Sequence, residues 1–440
     1  MTGTSSAESD PGPRPASLRR AIRTRHAIAL YVSSVLGSGI LVLPGLAAQL
    51  AGPASLFAWA FLAAASLPFA LTFASLSVRR PESGGVYAFA REAFGPSVAA
   101  ATGWLFFLWT VTGAPAVALI AASYLGYAFP LSHPETFLVA FAIVSAAFAV
   151  NYRGITLSSQ VQLAVIGSIV ALLVVTLAIS GTRVHAAEFV PLFPHGIVPV
   201  GTAAALIFWS FLGYENVSNV AEEFEDPARD FPRSVGASVA LVGVLYFAVA
   251  FVTVGTGAYR AGGGVAPFAA ILASIFGPYG AAGTAVLAAF IVFGVVNAYM
   301  TGMSRVAYAT ARDGGLPSAL GHLDPRSRVP NRALLALWGG ATAVFAFYYA
   351  ADVSLTVALL VASGAAIVVY VVGSAAGVRI QRRAGPGARR AVGLAAVSLA
   401  ISLVVLPFIG WPLLVTLAAV VGALGYRALA VRRPAVRPDA

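Results

Sequence analysis

The sequence predicts an all-α membrane protein with twelve transmembrane helices. Three observations carry this expectation. Apolar stretches of about 20 residues, long enough to cross a hydrocarbon core, recur along all 440 residues. The chain is 59% hydrophobic and 10% charged, against about 25% charged in ordinary globular proteins. Most of the basic residues sit in clusters between apolar stretches, and mainly in alternate connections. A signal peptide accounts for one apolar stretch near the start, not for a dozen.

Residues 1–24, rich in Ser, Pro, Gly and Arg, read as a disordered cytoplasmic arm. Apolar spans follow at about 26–50, 54–78, 97–129, 136–151, 157–180, 198–221, 235–258, 280–311, 332–350, 353–379, 391–408 and 411–430. The first ten spans form a unit over residues 25–380. Two five-helix halves divide it, at about 25–180 and 198–380. Residues 381–431 hold spans eleven and twelve, and 432–440 form a cytoplasmic tail. Two connections are too long and polar to be simple turns: Arg79–Pro96, and the stretch EEFEDPARDFPRS over Glu222–Ser234. Each is expected to form a short helix along the membrane surface.

An even number of spans puts both termini on one side. With a cytoplasmic N-terminus the outer loops hold only Arg183 and Arg260. The inner loops and tails hold every other arginine outside the spans, which assigns both termini to the cytoplasm. All 27 basic residues are Arg, giving a net charge of +11. Membrane orientation accounts for that excess, so nucleic acid is not an expected partner. The absence of Lys, with abundant Ala, Gly and Pro, fits a GC-rich genome and a bacterial plasma membrane. Without Lys there is no P-loop, which excludes a nucleotide-driven pump of that type. Without Cys there are no disulfides, thiolate metal sites or cysteine nucleophiles.

Charge inside a span is costly and marks function. Two residues qualify, Glu215 in span six and Arg305 in span eight. Each lies seven residues from a cytoplasmic span end, about 10 Å deep. Two readings stay open: an ion pair, or separate capping of backbone. The histidines, His26, His133, His185, His195 and His322, lie at span ends or in loops. No mid-membrane carboxylate–histidine relay can be built, no cofactor or metal site is expected, and an enzyme using Glu215 as base lacks a second polar partner.

Span one contains Gly37-Ser38-Gly39-Ile40, and span six contains Phe208-Trp209-Ser210-Phe211-Leu212-Gly213-Tyr214-Glu215. Glycine weakens a helix by about 1 kcal/mol relative to Ala. Unwound backbone at membrane depth is tolerated where it lines a cavity. Small residues also serve close helix packing, and for Gly37-Ser38-Gly39 alone that reading competes. Position favours the cavity: spans one and six are corresponding members of the two halves. Five spans per half makes the second half inverted relative to the first.

At these residues the chain resembles the amino acid–polyamine–organocation superfamily of transporters. The similarity rests on Gly37–Ile40, on Trp209–Glu215 continuing through Glu222-Glu223 to Asp226–Pro232, on Pro81-Glu82-Ser83-Gly84-Gly85-Val86-Tyr87, and on Arg312-Asp313-Gly314-Gly315-Leu316-Pro317. Within the superfamily, Glu223–Arg233 is most similar to bacterial exporters of neutral, hydrophobic amino acids.

The resemblance implies a five-plus-five inverted-repeat (LeuT-like) core with broken helices 1 and 6, plus two extra helices. It implies a secondary permease for neutral amino acids, working by alternating access. Ser34, Val35, Gly37, Ser38 and Gly39 would hold the substrate carboxylate. Phe208, Trp209 and Phe211 would offer backbone carbonyls to its ammonium group and an aromatic gate, and Tyr299 would add a pocket aromatic. Trp104, Phe107 and Trp109 join them as expected wall residues. Glu215 and Arg305 are the coupling or gating candidates, with protons as the candidate ion, since no sodium ligands are evident. A transporter-fold receptor without transport, and a polyamine or basic amino acid exchanger, remain alternatives.

Overall fold

The computed structural model describes residues 28, 31–32, 34–79, 85–154, 159–215, 227–260 and 262–432. The expected N-terminal arm, the Pro81–Gly84 turn, residues 216–226 and nearly all of the 432–440 tail lie outside them. All regular structure among the described residues is helical. Helix α1 (Gly39–Ala51) continues through the 3₁₀ turn Gly52–Ala54 into α2 (Ser55–Arg79). Then come α3 (Gly85–Phe94), α4 (Pro96–Ala128), α5 (His133–Tyr152), α6 (Ser159–Ser180) and α7 (Val198–Ile207), which passes into the 3₁₀ turn Phe208–Phe211. The chain continues as α8 (Pro227–Gly255), α9 (Pro267–Phe276), α10 (Pro278–Arg312), α11 (Asn331–Ala350), α12 (Leu355–Arg383), α13 (Arg389–Val405) and α14 (Leu413–Arg432).

Nine helical stretches among the described residues are long and apolar enough to cross a membrane, with α1 and α2 counted as one stretch of 41 residues. Val198–Phe211, α9 and Leu413–Leu429 are shorter apolar helices. Helix α9 falls in a stretch expected to be a loop. Its ten residues rise only about 15 Å, half of a hydrocarbon core, so its apolar content signals no span.

The expected surface helix between spans two and three exists as α3, which buries Val86, Tyr87, Phe89, Ala90 and Ala93. The second expected surface helix does not form over 227–234. Those residues are the first turns of α8, which runs unbroken to Gly255.

Local chemistry explains many of the starts. Proline opens α4, α9 and α10, where its missing N–H costs nothing. Helix α5 begins at Ser132, whose backbone N–H and hydroxyl both donate to the Glu135 carboxylate, at 2.7 and 2.6 Å. Helix α12 begins at Ser354, whose hydroxyl accepts from the Val357 N–H.

Helix α4 is the axis of the bundle. It packs against α3, α5, α10, α11, α12 and α14, and 89% of its most apolar window is buried, against 17% for α5. Around it, α1 lies on α7, α2 on α8 and α13, and α12 on α13. A polar knot ties α5 to α10. The Asn151 amide donates to Asn297 Oδ1 at 2.8 Å, and the Thr301 hydroxyl donates to Asn151 Oδ1. Satisfied polar groups at this depth fix the rotation of two helices that apolar contacts alone leave loosely specified.

Candidate functional site

Helical geometry lapses at two places, and they meet. Residues 34 and 35 are helical, and the Leu36 N–H still bonds the Val32 carbonyl at 2.8 Å. Residues 36–38 are not helical, and α1 starts at Gly39. The second lapse follows Phe211: Leu212 is extended, and Gly213 has φ +122°. The Ser34 hydroxyl donates to the Gly213 carbonyl at 2.7 Å.

Glycine is required on both sides of this junction. A Cβ on Gly39 would lie 2.8 Å from Ser210 Oγ and from Trp209 Cδ1, and one on Gly213 would lie 2.2 Å from the Ser34 carbonyl oxygen. The freed backbone groups are partly taken up. Tyr246 of α8 donates its hydroxyl to the Val35 carbonyl at 3.0 Å; further on, within α1, Tyr124 of α4 donates to the Leu41 carbonyl. The hydroxyls of Ser38 and Ser210 are buried without partners. The first N–H groups of a helix have no intrahelical acceptor. At the start of α1 the Leu41 N–H turns back to the Ser38 carbonyl at 3.1 Å, and the N–H groups before it and the positive dipole end lie beside the Phe208–Phe211 turn.

The three aromatic residues of that turn do not act together. In a 3₁₀ turn, residues three apart eclipse. Phe208 and Phe211 therefore share a side, where Phe208 meets Phe69 and Tyr370 edge-on and Phe211 packs on Trp59 and Tyr246. Both are core residues against α2. Trp209 points elsewhere, edge-on to Trp109 and to Tyr299 with centroids 6.1 and 6.3 Å apart. Its indole sits in a slot between two glycines. Gly39 faces Cδ1, and Gly113 of α4 faces Cη2, each leaving a Cβ only 2.8 Å of clearance. The aromatic cluster beside the start of α1 is therefore Trp109, Trp209 and Tyr299.

Trp104 and Phe107 are not part of it. They pack on each other, and Trp104 also packs on Tyr426 of α14. Both border a separate cluster of Ala307, Ala311, Leu316 and Ala333. Trp104 and Trp109 are five residues apart, about 140° around a helix, so one cavity cannot receive both.

Glu215 is buried, with 6% of its surface exposed. Its carboxylate accepts the Gly213 N–H at 2.9 Å and the Tyr370 hydroxyl of α12. Arg305 is exposed and donates to the Thr301 carbonyl of its own helix at 3.3 Å. No ion pair joins the two among the described residues. Both find hydrogen-bond partners nearer to hand, which removes the need to bring two charges together.

On the face marked by α3, the Asp313 carboxylate accepts from the Arg91 guanidinium at 2.8 Å and from the Tyr87 hydroxyl at 3.1 Å. Arg427 of α14 donates to the Gly314 carbonyl at 3.1 Å. Burial first, and the Asp313 carboxylate second, push the Tyr87 hydroxyl up to about 12. The Arg312–Pro317 motif is thereby held between α3 and α14.

Four residues of the junction carried no expectation from sequence: Ser210, Gly113, Tyr246 and Tyr370. Ser210 stands inside the quoted motif. The other three are single small or aromatic residues in apolar helices, and nothing local distinguishes them from packing.

Nine helical stretches among the described residues long and apolar enough to cross a bilayer, packed with two lapses of helical geometry in contact, define an integral membrane protein. Comparison with known proteins makes this particular. A protein-family profile described as "Amino acid permease" matches residues 22–423. The uncharacterized amino acid permease YecA of Bacillus subtilis (strain 168) is 36% identical over 409 residues, 93% of this chain and 95% of that one. The L-methionine/branched-chain amino acid exporter YjeH of Escherichia coli (strain K12) is 30% identical, over 92% of this chain and 95% of that one. The branched-chain amino acid permease BcaP of Bacillus subtilis (strain 168) is 29% identical, over 71% of this chain and 72% of that one. The chain belongs to the amino acid permease family, a family of transporters and not of enzymes.

Proposed function

We propose that this permease carries neutral amino acids with apolar side chains by alternating access, at the junction of the two helical lapses. The observation that carries the reading is the donor-rich start of α1 beside an aromatic cluster of Trp109, Trp209 and Tyr299 that contains no free charge. A substrate carboxylate suits the N-terminal backbone of Gly37, Ser38 and Gly39, with Ser34 and Val35 fixing the preceding turn. Its ammonium group suits the carbonyls of the Phe208–Phe211 turn. Its side chain suits the indole and phenol rings. The names of YjeH and BcaP, an exporter and a permease of branched-chain amino acids, agree with this substrate class.

The reading includes a twelve-span arrangement with a five-plus-five inverted-repeat core and both termini cytoplasmic. The arginine distribution and the matching positions of the two lapses support it. Glu215 is the proton carrier in this scheme, being the buried carboxylate beside the junction. Arg305 has no part in it beyond orientation.

Counterflow in proteoliposomes tests the reading. Vesicles loaded with unlabelled leucine should accumulate labelled leucine, isoleucine, valine and methionine. An absence of exchange with any neutral amino acid would leave the chain as a binding protein without transport.

A further inference from the structure

A cavity lined by none of the junction residues lies where the end of α6, the connection after it, the end of α8 and helix α9 come together. It encloses about 230 Å³, and its polar lining is Ser180, Arg183, His185, Thr256 and Ser274, with Ile271 as its main apolar wall. We infer that this cavity is a peripheral binding site for a small zwitterionic α-amino acid.

The charge balance at this end of the bundle is the first argument. Two loop arginines stand here. Arg260 is neutralised by Glu188 at 2.8 Å. Arg183 has no acidic partner among the described residues. Its one hydrogen bond, to the Ser274 carbonyl at 3.3 Å, swings the guanidinium across to α9 and into the cavity lining. The connection is pinned so that this geometry persists, because the His185 N–H bonds the Gly255 carbonyl at 2.9 Å. A cation with spare donors, His185 and the buried unpartnered hydroxyl of Ser180 all belong to this lining, which suits a carboxylate.

The remaining hydroxyls are suited to the opposite charge. Thr256 donates its proton to the Val252 carbonyl at 2.8 Å, and Ser274 donates to the Ile271 carbonyl at 2.7 Å. Each oxygen is left with lone pairs only, an acceptor that repels an anion and attracts an ammonium group. Donors and acceptors in one lining match a zwitterion better than a simple anion.

Volume sets the size. Pockets for drug-sized ligands occupy about 300–1,000 Å³, and this cavity, at about 230 Å³, falls below that range. A small amino acid such as alanine suits it, with Ile271 facing its side chain. The inference is independent of the junction: no residue of this cavity takes part there.

Equilibrium binding of labelled L-alanine to the purified full-length chain in lipid nanodiscs tests it. The Gly39→Val variant disables the junction, so binding that persists in it belongs elsewhere. In that background Arg183→Gln should weaken alanine binding roughly tenfold or more, the loss of a charge-assisted contact. Thr256→Val should weaken it about fivefold, the loss of one neutral acceptor. Acetate, which lacks the ammonium group, should compete less well than unlabelled alanine. In the chain with Gly39 intact, Arg183→Gln should convert two-site saturation to single-site saturation, which gives a reading free of the Gly39→Val change. Three results each overturn the proposal: no alanine binding in Gly39→Val together with single-site saturation of the native chain, unchanged affinity in Gly39→Val/Arg183→Gln, or displacement by acetate or chloride as strong as by alanine.

Discussion

The Ser34 hydroxyl donates to the Gly213 carbonyl across 2.7 Å, bridging residues 179 positions apart. This bond ties the last helical turn before one lapse to the glycine inside the other. In the proposed alternating-access scheme two helices change together, and this contact is the one that would couple them.

Gly213 is the more critical partner. Its φ of +122° belongs to glycine, and its Cα stands so close to Ser34 that a Cβ would lie 2.2 Å from the Ser34 carbonyl oxygen. Gly213→Ala should therefore abolish counterflow. Ser34→Ala removes one hydrogen bond worth about 1 kcal/mol and should slow exchange about fivefold. Size-exclusion elution checks that both variants remain folded. Equal effects of the two changes would deny the coupling role.

The Trp209 slot predicts how substrate size is set. Gly113 leaves 2.8 Å between a built Cβ and Trp209 Cη2. Gly113→Ala adds a methyl group to a filled site, a change costing about 1–3 kcal/mol if nothing moves. The indole should shift toward Tyr299 and shrink the space between them. Competition should then favour alanine over leucine by roughly tenfold relative to the unmodified chain. An unchanged leucine-to-alanine ratio would place the substrate side chain elsewhere.

Glu215 and Tyr370 separate proton carriage from architecture. The Tyr370 hydroxyl and the Gly213 N–H both donate to one carboxylate oxygen of Glu215. Glu215→Gln keeps the shape but cannot lose or gain a proton in the working range, so transport should become independent of pH while leucine still binds. Tyr370→Phe keeps the carboxylate, so pH dependence should remain although exchange slows. Initial rates between pH 5 and 8 decide this. Undiminished pH dependence in Glu215→Gln would assign the proton elsewhere.

The α3 contact has its own pH signature. The Tyr87 hydroxyl, about 10 in an unfolded chain, rises to about 12 through burial and the neighbouring Asp313 carboxylate. A raised value means the neutral form is favoured in the folded state. Its stabilising contribution is complete below about 10 and is lost as pH climbs through about 12. The melting temperature difference between the native chain and Tyr87→Phe should be constant from neutral pH to about 10 and close by about 12. The Arg91–Asp313 pair is largely exposed, so Arg91→Ala alone should cost no more than about 1 kcal/mol.

The helices were legible because spans are written as long apolar runs, and the two lapses because glycine and hydroxyl residues interrupt those runs. The faces of the helices were not legible. Helix α4 is apolar all round, so no periodicity tells which side meets substrate. Sequence alone thus groups Trp104 and Phe107 with Trp109, whereas only Trp109 meets the Trp209 ring. The partner of Glu215 was equally hidden. Charge arithmetic points to Arg305, the other charge at equal depth, whereas the carboxylate accepts from Tyr370, 155 residues away and neutral. Long-range hydrogen bonds to uncharged groups leave no local trace. Helix α9 was missed because ten apolar residues are too few to register as a span.

The substrate class gives the last prediction. The aromatic rings beside the start of α1 are Trp109, Trp209 and Tyr299, and the carboxylate nearest them among the described residues, Glu215, already accepts two hydrogen bonds. A substrate with a charged side chain would leave water without a partner there, a cost of several kcal/mol. An apolar side chain gains roughly 25 cal/mol for each Å² it buries. Leucine, isoleucine, valine, methionine and phenylalanine should therefore displace labelled leucine far better than arginine, lysine or glutamate. The carboxylate contact predicts a second ordering within the apolar set. Leucinamide keeps the side chain and ammonium group but loses the anionic end that suits the start of α1, so it should compete at least about tenfold less well than leucine. Gly39→Val, which would drive a branched side chain into Ser210 and Trp209, should abolish both orderings by removing binding at the junction. Displacement by arginine or lysine that equals displacement by leucine would refute the apolar site. Equal competition by leucinamide would refute the carboxylate cradle while leaving the apolar site intact.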